Sequence, residues 1–200
     1  MGQYDGYLAE RGVTPGSRTP TYAAIRLLID NDRWQGVPFY LRSGKALASK
    51  MSEIVINFKR PPLSLFDGAS DQEVEPNSLG ICIQPDEGIH LRFQSKIPDQ
   101  GLLSAARNME FHYETAYQGQ RLPEAYERLL EDAFSGDAGL FIRGDWVEHA
   151  WNIVDPLIEA WAAPDGPAIA GYPPTSWGPT DADALLARFG HAWRSLCTHG

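Results

Sequence analysis

The chain has 200 residues, with 26 acidic against 17 basic side chains and a formal net charge of -9, so bulk electrostatics exclude nucleic acid and anionic membrane surfaces as partners. With 43% hydrophobic and 22% charged residues it sits at the globular average, and 19 glycines and 15 prolines are too few for a disordered chain. The length suits one domain, or two very small ones, with a sizeable core, and no apolar stretch approaches the span of a bilayer.

Residues 1–20 carry Gly6, Gly12, Pro15, Gly16 and Pro20 and read as a loop leading into the fold. Residues 22–29 are an apolar run bounded by Pro20 and Asp30-Asn31-Asp32, which predicts a strand; residues 33–37 predict a turn. A second strand over residues 38–43 ends at Ser43-Gly44-Lys45. Ile54-Val55-Ile56-Asn57-Phe58 reads as a third, cut off by Pro61-Pro62. Residues 65–77 are acidic and turn-rich, an expected exposed excursion. Residues 79–84 and 89–94 flank Pro85-Asp86-Glu87-Gly88 as a hairpin, and Met109, Phe111 and Tyr113 alternate with Glu110, His112 and Glu114 as a further strand.

The period then changes. Tyr126, Leu129, Leu130, Ala133 and Phe134 predict a helix opening at Pro123-Glu124 and ending at Gly136. Asp145 is expected to cap a longer helix striped by Val147, Ala150, Trp151, Val154, Ile158 and Trp161, with a kink or restart at Pro156. After a Pro/Gly-rich stretch over 162–179, Thr180 with Asp183 predicts the cap of a last helix through Phe189. Strands followed by helices give an α+β fold, a large and mainly antiparallel sheet with helices packed on one face, spanning residues 1–200 as one domain.

Chemical signals are sparse. The sequence has no glycine-rich phosphate cradle, no Cys or His pair at metal-ligand spacing and no nucleophile elbow. His90, His112, His149, His191 and His199 are scattered singly and read as strand-face or helix-surface imidazoles. Two cysteines are too few for a disulfide framework; Cys82, in the run Leu79, Ile81, Ile83, reads as a buried thiol in a reducing, cytoplasmic compartment. Met1-Gly2-Gln3-Tyr4-Asp5 lacks the basic and apolar regions of a signal peptide and reads as a point where a longer chain was cut.

The lysines stand out. There are only four, Lys45, Lys50, Lys59 and Lys96, and three fall in one short stretch. Lys45 follows a strand end at Ser43-Gly44 and Lys50 comes five residues later, so both ammonium groups could converge on one anion such as a sugar phosphate; two solvated loop lysines are the alternative.

The wording of the sequence resembles the C-terminal domain of glucose-6-phosphate dehydrogenase. The resemblance rests on Gly2-Gln3-Tyr4, Ser17-Arg18-Thr19-Pro20-Thr21-Tyr22-Ala23-Ala24, Arg33-Trp34-Gln35-Gly36-Val37-Pro38-Phe39-Tyr40, Leu41-Arg42-Ser43-Gly44-Lys45-Ala46-Leu47, Ile83-Gln84-Pro85-Asp86-Glu87, Pro123-Glu124-Ala125-Tyr126-Glu127-Arg128-Leu129-Leu130 and Trp177-Gly178-Pro179, in family order. That family oxidises glucose 6-phosphate to 6-phosphogluconolactone with NADP in the pentose phosphate pathway. The resemblance implies that Lys45 and Lys50 face the substrate phosphate and sugar, that Gln84 approaches the sugar, and that Arg42 serves the cofactor or substrate side. It also implies a homo-oligomer formed through the sheet. The family's dinucleotide fingerprint and catalytic histidine motif are absent, so the chain by itself is expected to be inactive; Met51, Val55 and Cys82 stand where some members place basic residues for a second NADP. A non-catalytic oligomerisation module or a sugar-phosphate-binding module is the alternative.

Overall fold

The computed structural model describes residues 1–60, 75–101, 103–118, 120 and 124–197, with the side chain of Ala125 left aside. In chain order the elements are β1 (Gly2–Tyr4), a 3-10 turn (Tyr7–Ala9), β2 (Tyr22–Leu28), β3 (Pro38–Gly44), β4 (Ser52–Asn57), β5 (Ser78–Gln84), β6 (Gly88–Lys96), β7 (Ser104–His112), α1 (Tyr113–Ala116), α2 (Ala125–Ser135), α3 (Gly144–Ala162), β8 (Ala170–Tyr172) and α4 (Thr180–Ala187). The α+β class holds, with the strands distributed over two four-stranded sheets, β3-β2-β1-β8 and β4-β5-β6-β7. The chain divides into two compact units, one built within Met1–Ser49 and Pro123–Ala192, the other within Lys50–Leu122 and Trp193–Gly200.

In the first unit, β2 and β3 pair antiparallel from Tyr22↔Gly44 to Leu28↔Pro38. The loop expected over residues 1–20 contains β1, and the Pro/Gly-rich stretch before α4 contains β8; these two pair in parallel, Gly2↔Ala170 to Tyr4↔Tyr172. Neither is visible locally, because three-residue strands show no alternation: β8 forms by pairing with β1 across the chain, and β1 by pairing with β8 and, at Gly2↔Tyr22, with β2. The core is Tyr22, Tyr172 and Ala182, with Tyr4, Ala24 and Leu47 packed against it, and α4 also buries Leu186. Tyr22 and Tyr172 meet edge to face with centroids 5.5 Å apart. A Cβ at Gly44 would come within 2.6 Å of the Tyr22 ring and one at Gly178 within 2.4 Å, so two glycines make the space in which this ring lies.

Burial pushes the Tyr22 phenol above its ordinary value of 10.0, with the Arg42 charge partly offsetting the shift. A phenol whose folded pKa exceeds its unfolded value holds its proton more tightly when folded, so its contribution to stability is full below pH 10.0 and is lost as pH rises through the folded value. We therefore expect melting temperatures measured between about pH 8 and 11 to fall more steeply with alkalinity in the parent than in Tyr22→Phe; equal slopes would contradict the assignment.

Helix α2 ends at Gly136 in the left-handed conformation (φ 74°), as its sequence predicts. Pro123, expected to open this helix, lies outside the described residues. Helix α3 runs unbroken through Pro156, where a kink or restart was expected. Proline deprives Asn152 of its helical donor, but both residues are exposed and water can serve that carbonyl. Asp145 lies in the first turn of α3 after the capping residue Arg143, and Thr180 opens α4 after Pro179, so neither caps its helix. Most apolar positions of α2 and α3 remain open, with Tyr126 79% and Phe134 90% exposed and Trp146, Val147, Trp151 and Ile158 exposed as well, while Leu129, Val154 and Trp161 are half-buried.

In the second unit the predicted hairpin and third strand form an antiparallel meander, to which β7 adds a fourth strand beginning well before Met109. Tyr113 and Glu114 leave that strand and start α1. The register builds two apolar rows across one face, Ile54-Ile81-Ile89-Phe111 and Ile56-Leu79-Leu91-Met109. On the other face of β5, Leu196 sits over Gly80 and Cys82 is disulfide-bonded to Cys197, 115 residues away. The expected buried thiol is thus corrected: the segment carrying Cys197 folds back onto this strand, a juxtaposition that spacing alone does not reveal. Glu53 Oε2 accepts the amide protons of Leu196 at 3.1 Å and Cys197 at 3.3 Å, which fixes that segment. Of the acidic excursion expected over 65–77, residues 65–74 lie outside the described residues; Glu75 pairs with Arg92 at 3.0 Å.

Candidate functional site

Lys45 is the first residue after β3. Antiparallel pairing brings the end of β3 beside the start of β2, and there the Lys45 amide donates to the Thr21 carbonyl at 2.8 Å. Its own carbonyl accepts a hydrogen bond from the Tyr172 hydroxyl at 2.8 Å. Ala46 follows in the left-handed region (φ 49°), its carbonyl accepting the Thr175 amide at 2.8 Å, and the Ala48 amide donates to the Ser176 carbonyl at 2.8 Å. The loop after β3 is thereby laced to the segment between β8 and α4, while the Lys45 side chain is exposed. The result is an ammonium group on a backbone with little freedom, the arrangement that holds an anion at low entropic cost.

Arg42, on β3, places its guanidinium over the Trp177 ring at 4.9 Å, a cation–π contact that ties the same two segments together. Lys50 and Gln84 belong to the second unit. Lys50 is exposed two residues before β4, whose first residue, Ser52, pairs with Gln84, so register brings Lys50 and Gln84 to one end of that sheet.

A group missed by spacing arguments lies at the turn that follows Gln84. The β6–β7 register sets His90 opposite Glu110 and Gly88 opposite His112. His112 Nδ1 is 3.1 Å from Asp86 Oδ2, and Glu110 lies 3.9 Å from both imidazoles. The two rings meet edge to face at 5.0 Å, and His90 is buried. The Tyr113 amide donates to the Glu87 carbonyl at 3.0 Å. Together with the Asp86–His112 pair, this ties the turn after Gln84 to the end of β7. Two histidines read singly thus form one carboxylate–imidazole cluster; the only local signal was the alternation of Glu110 and His112. His191 pairs with the Tyr40 hydroxyl at 2.8 Å and His149 is exposed on α3, whereas His199 lies outside the described residues. Among the described residues no group of three His, Cys, Asp or Glu could hold a metal ion.

A dinucleotide pyrophosphate is ordinarily held where a glycine-rich turn leads from a strand into a helix. The residues preceding α1, α2, α3 and α4 are His112, Glu124, Arg143 and Pro179, so none of these helices opens on such a turn. These residues do not fit a dinucleotide cradle.

Comparison with known proteins gives one answer. Residues 1–194 match the family described as "Glucose-6-phosphate dehydrogenase, C-terminal domain". The glucose-6-phosphate 1-dehydrogenase of Chlamydia pneumoniae is 44% identical over 193 residues, covering 96% of this chain and 38% of the relative. That of Aggregatibacter actinomycetemcomitans is 47% identical over 189 residues, covering 94% and 37%. The crystal structure of the enzyme from Mycobacterium avium superposes with a TM-score of 0.81 at 35% identity, covering 100% of this chain and 40% of that one. A glucose-6-phosphate dehydrogenase in complex with its substrate glucose-6-phosphate gives 0.83 at 34% identity, covering 94% and 38%. The chain spans well under half the length of the relatives it matches.

Proposed function

The chain belongs to the glucose-6-phosphate dehydrogenase C-terminal domain family, and on that footing we propose that it forms the substrate-phosphate side of an enzyme that oxidises glucose 6-phosphate to 6-phosphogluconolactone. The observation that carries this reading is Lys45, an exposed cation on a backbone hydrogen-bonded at both its amide and its carbonyl. A hexose phosphate is a compact dianion, and lysine offers a compact charge with three donors. Lys45 and Lys50 bind the phosphate, Gln84 approaches the sugar, and Arg42 serves the cofactor or substrate side. These groups bind and orient the sugar; none is a base for its C1 hydroxyl.

NADP, which the family uses, would take up the hydride and would be held by the rest of the relatives' length, because the described residues do not fit a dinucleotide cradle. The open apolar faces of α2 and α3 support that division, since exposed aromatic surface on this scale ordinarily has a partner. A second copy of the chain covers the two apolar rows of the second sheet, of which Ile54, Ile56, Ile89, Met109 and Phe111 are exposed. No helix among the described residues is long and apolar enough to cross a membrane.

The reading predicts substrate preference. Two charged hydrogen bonds to phosphate at about 1.5–3 kcal/mol each amount to a kcat/KM for glucose 6-phosphate roughly a hundredfold to ten-thousandfold above that for glucose. Steady-state kinetics with both sugars, on the chain joined behind the N-terminal portion its relatives carry, measures this; equal turnover would overturn the proposal.

A further inference from the structure

Tyr172 is the most completely buried aromatic residue of the first unit, 1% exposed, yet it ends in a hydroxyl. That hydroxyl lies 2.8 Å from the Lys45 carbonyl oxygen, 3.2 Å from the Thr21 carbonyl oxygen and 3.0 Å from Thr21 Oγ1. Thr21 Oγ1 accepts the Tyr4 amide proton at 3.0 Å. A phenol has one proton to give, and the shortest contact takes it. The Thr21 hydroxyl, engaged as an acceptor by Tyr4, is left to donate its own proton to Tyr172. The result is a directed relay from the Tyr4 amide through the hydroxyls of Thr21 and Tyr172 to the carbonyl of Lys45. Each bond polarises the next, so such a chain is stiffer than its members taken singly.

We infer that Tyr172 is a positioning residue for substrate-phosphate binding: its hydroxyl sets the peptide orientation from which Lys45 projects. The inference rests on the phosphate-binding reading of Lys45 given above. The next residue explains why such a clamp is needed. Ala46 has a φ of 49°, a conformation that disfavours residues with a Cβ, so the loop relaxes unless hydrogen bonds on both sides hold it. Those bonds are Tyr172 to the Lys45 carbonyl and the Thr175 amide to the Ala46 carbonyl. Without the phenolic proton the Lys45 carbonyl, in part-buried surroundings, must turn toward water, and the lysine moves with its peptide.

Tyr172→Phe removes one oxygen and keeps the ring that packs edge to face on Tyr22 and Tyr4. In the assembled dehydrogenase we expect this variant to raise KM for glucose 6-phosphate about five- to tenfold, as the loss of one hydrogen bond implies, with kcat within about twofold of the parent. KM for unphosphorylated glucose should be unchanged, because glucose has no phosphate for Lys45 to hold. Thr21→Val, which breaks the relay one step earlier, should move KM for glucose 6-phosphate in the same direction. The double variant Lys45→Ala/Tyr172→Phe should bind no more weakly than Lys45→Ala alone. The inference is overturned if Tyr172→Phe leaves KM for glucose 6-phosphate unchanged while Lys45→Ala raises it, or if KM rises equally for both sugars. If Lys45→Ala itself changes nothing, the phosphate-binding reading falls and takes this inference with it, an outcome distinct from the other two.

Discussion

Replacing Lys45 and Lys50 together with alanine is expected to raise KM for glucose 6-phosphate in the assembled dehydrogenase by about two to four orders of magnitude, at roughly 1.5–3 kcal/mol for each lost bond to charge. The effect should fall chiefly on KM. The phosphate is remote from the C1 carbon that loses hydride and keeps the same charge in substrate and transition state, so contacts to it stabilise both alike. Turnover of glucose should be indifferent to the double substitution, and the preference for the phosphorylated sugar should collapse. Each single variant should lose part of this, and Lys59→Ala, near both in sequence but outside the expected pair, should lose none of it. Unchanged KM in the double variant would remove the proposed phosphate site.

The second large effect concerns folding. Gly178 combines a φ of 107° with a position at which an added Cβ would come within 2.4 Å of Tyr22 Cε2 and 2.7 Å of its Cζ. Either defect alone is costly: overpacking ordinarily destabilises by about 1–3 kcal/mol and a left-handed conformation by about 1–2 kcal/mol. Gly178→Ala should therefore cost about 2–5 kcal/mol of unfolding free energy in urea titrations, a large fraction of the stability of an ordinary domain. Gly136→Ala is the control, because it shares the positive φ of 74° and has nothing within 4 Å of the added Cβ. It should cost only about 1 kcal/mol. A smaller loss at Gly178 than at Gly136 would contradict the packing described around Tyr22. Because Gly178 closes the segment that laces the Lys45 loop, its substitution should also weaken substrate binding in the assembled enzyme.

Much of this architecture is legible in the sequence. Strands β2 to β6 and the later part of β7 announce themselves by apolar runs and turn residues, and α2 and α3 by their apolar period, because each is long enough for its own residues to display the repeat; α4 was read from a Thr180–Asp183 cap whose place Pro179 takes. What escaped notice depends on pairing between distant residues. The partners of the Tyr172 hydroxyl lie 127 and 151 residues away. The disulfide closes 115 residues, and the His90–His112 contact needs the β6–β7 register. The Lys45 and Lys50 pair stood out because lysine is scarce in an acidic chain; Tyr172 could not, since a tyrosine in a Pro/Gly-rich stretch carries no sign of which backbone it will hold.

The apolar stripes of α2 and α3 leave Tyr126, Phe134, Trp146 and Trp151 exposed in this chain. A stripe at helical period predicts burial but not against what, and the relatives are more than twice as long as this chain.

The most direct test of the account is NADP reduction followed by absorbance with glucose 6-phosphate as substrate, for the chain alone and for the chain joined behind the N-terminal portion of a relative. The account predicts no NADPH from the chain alone and steady formation from the joined protein. NADPH formation by the pure chain, or none by a folded joined protein, would contradict it.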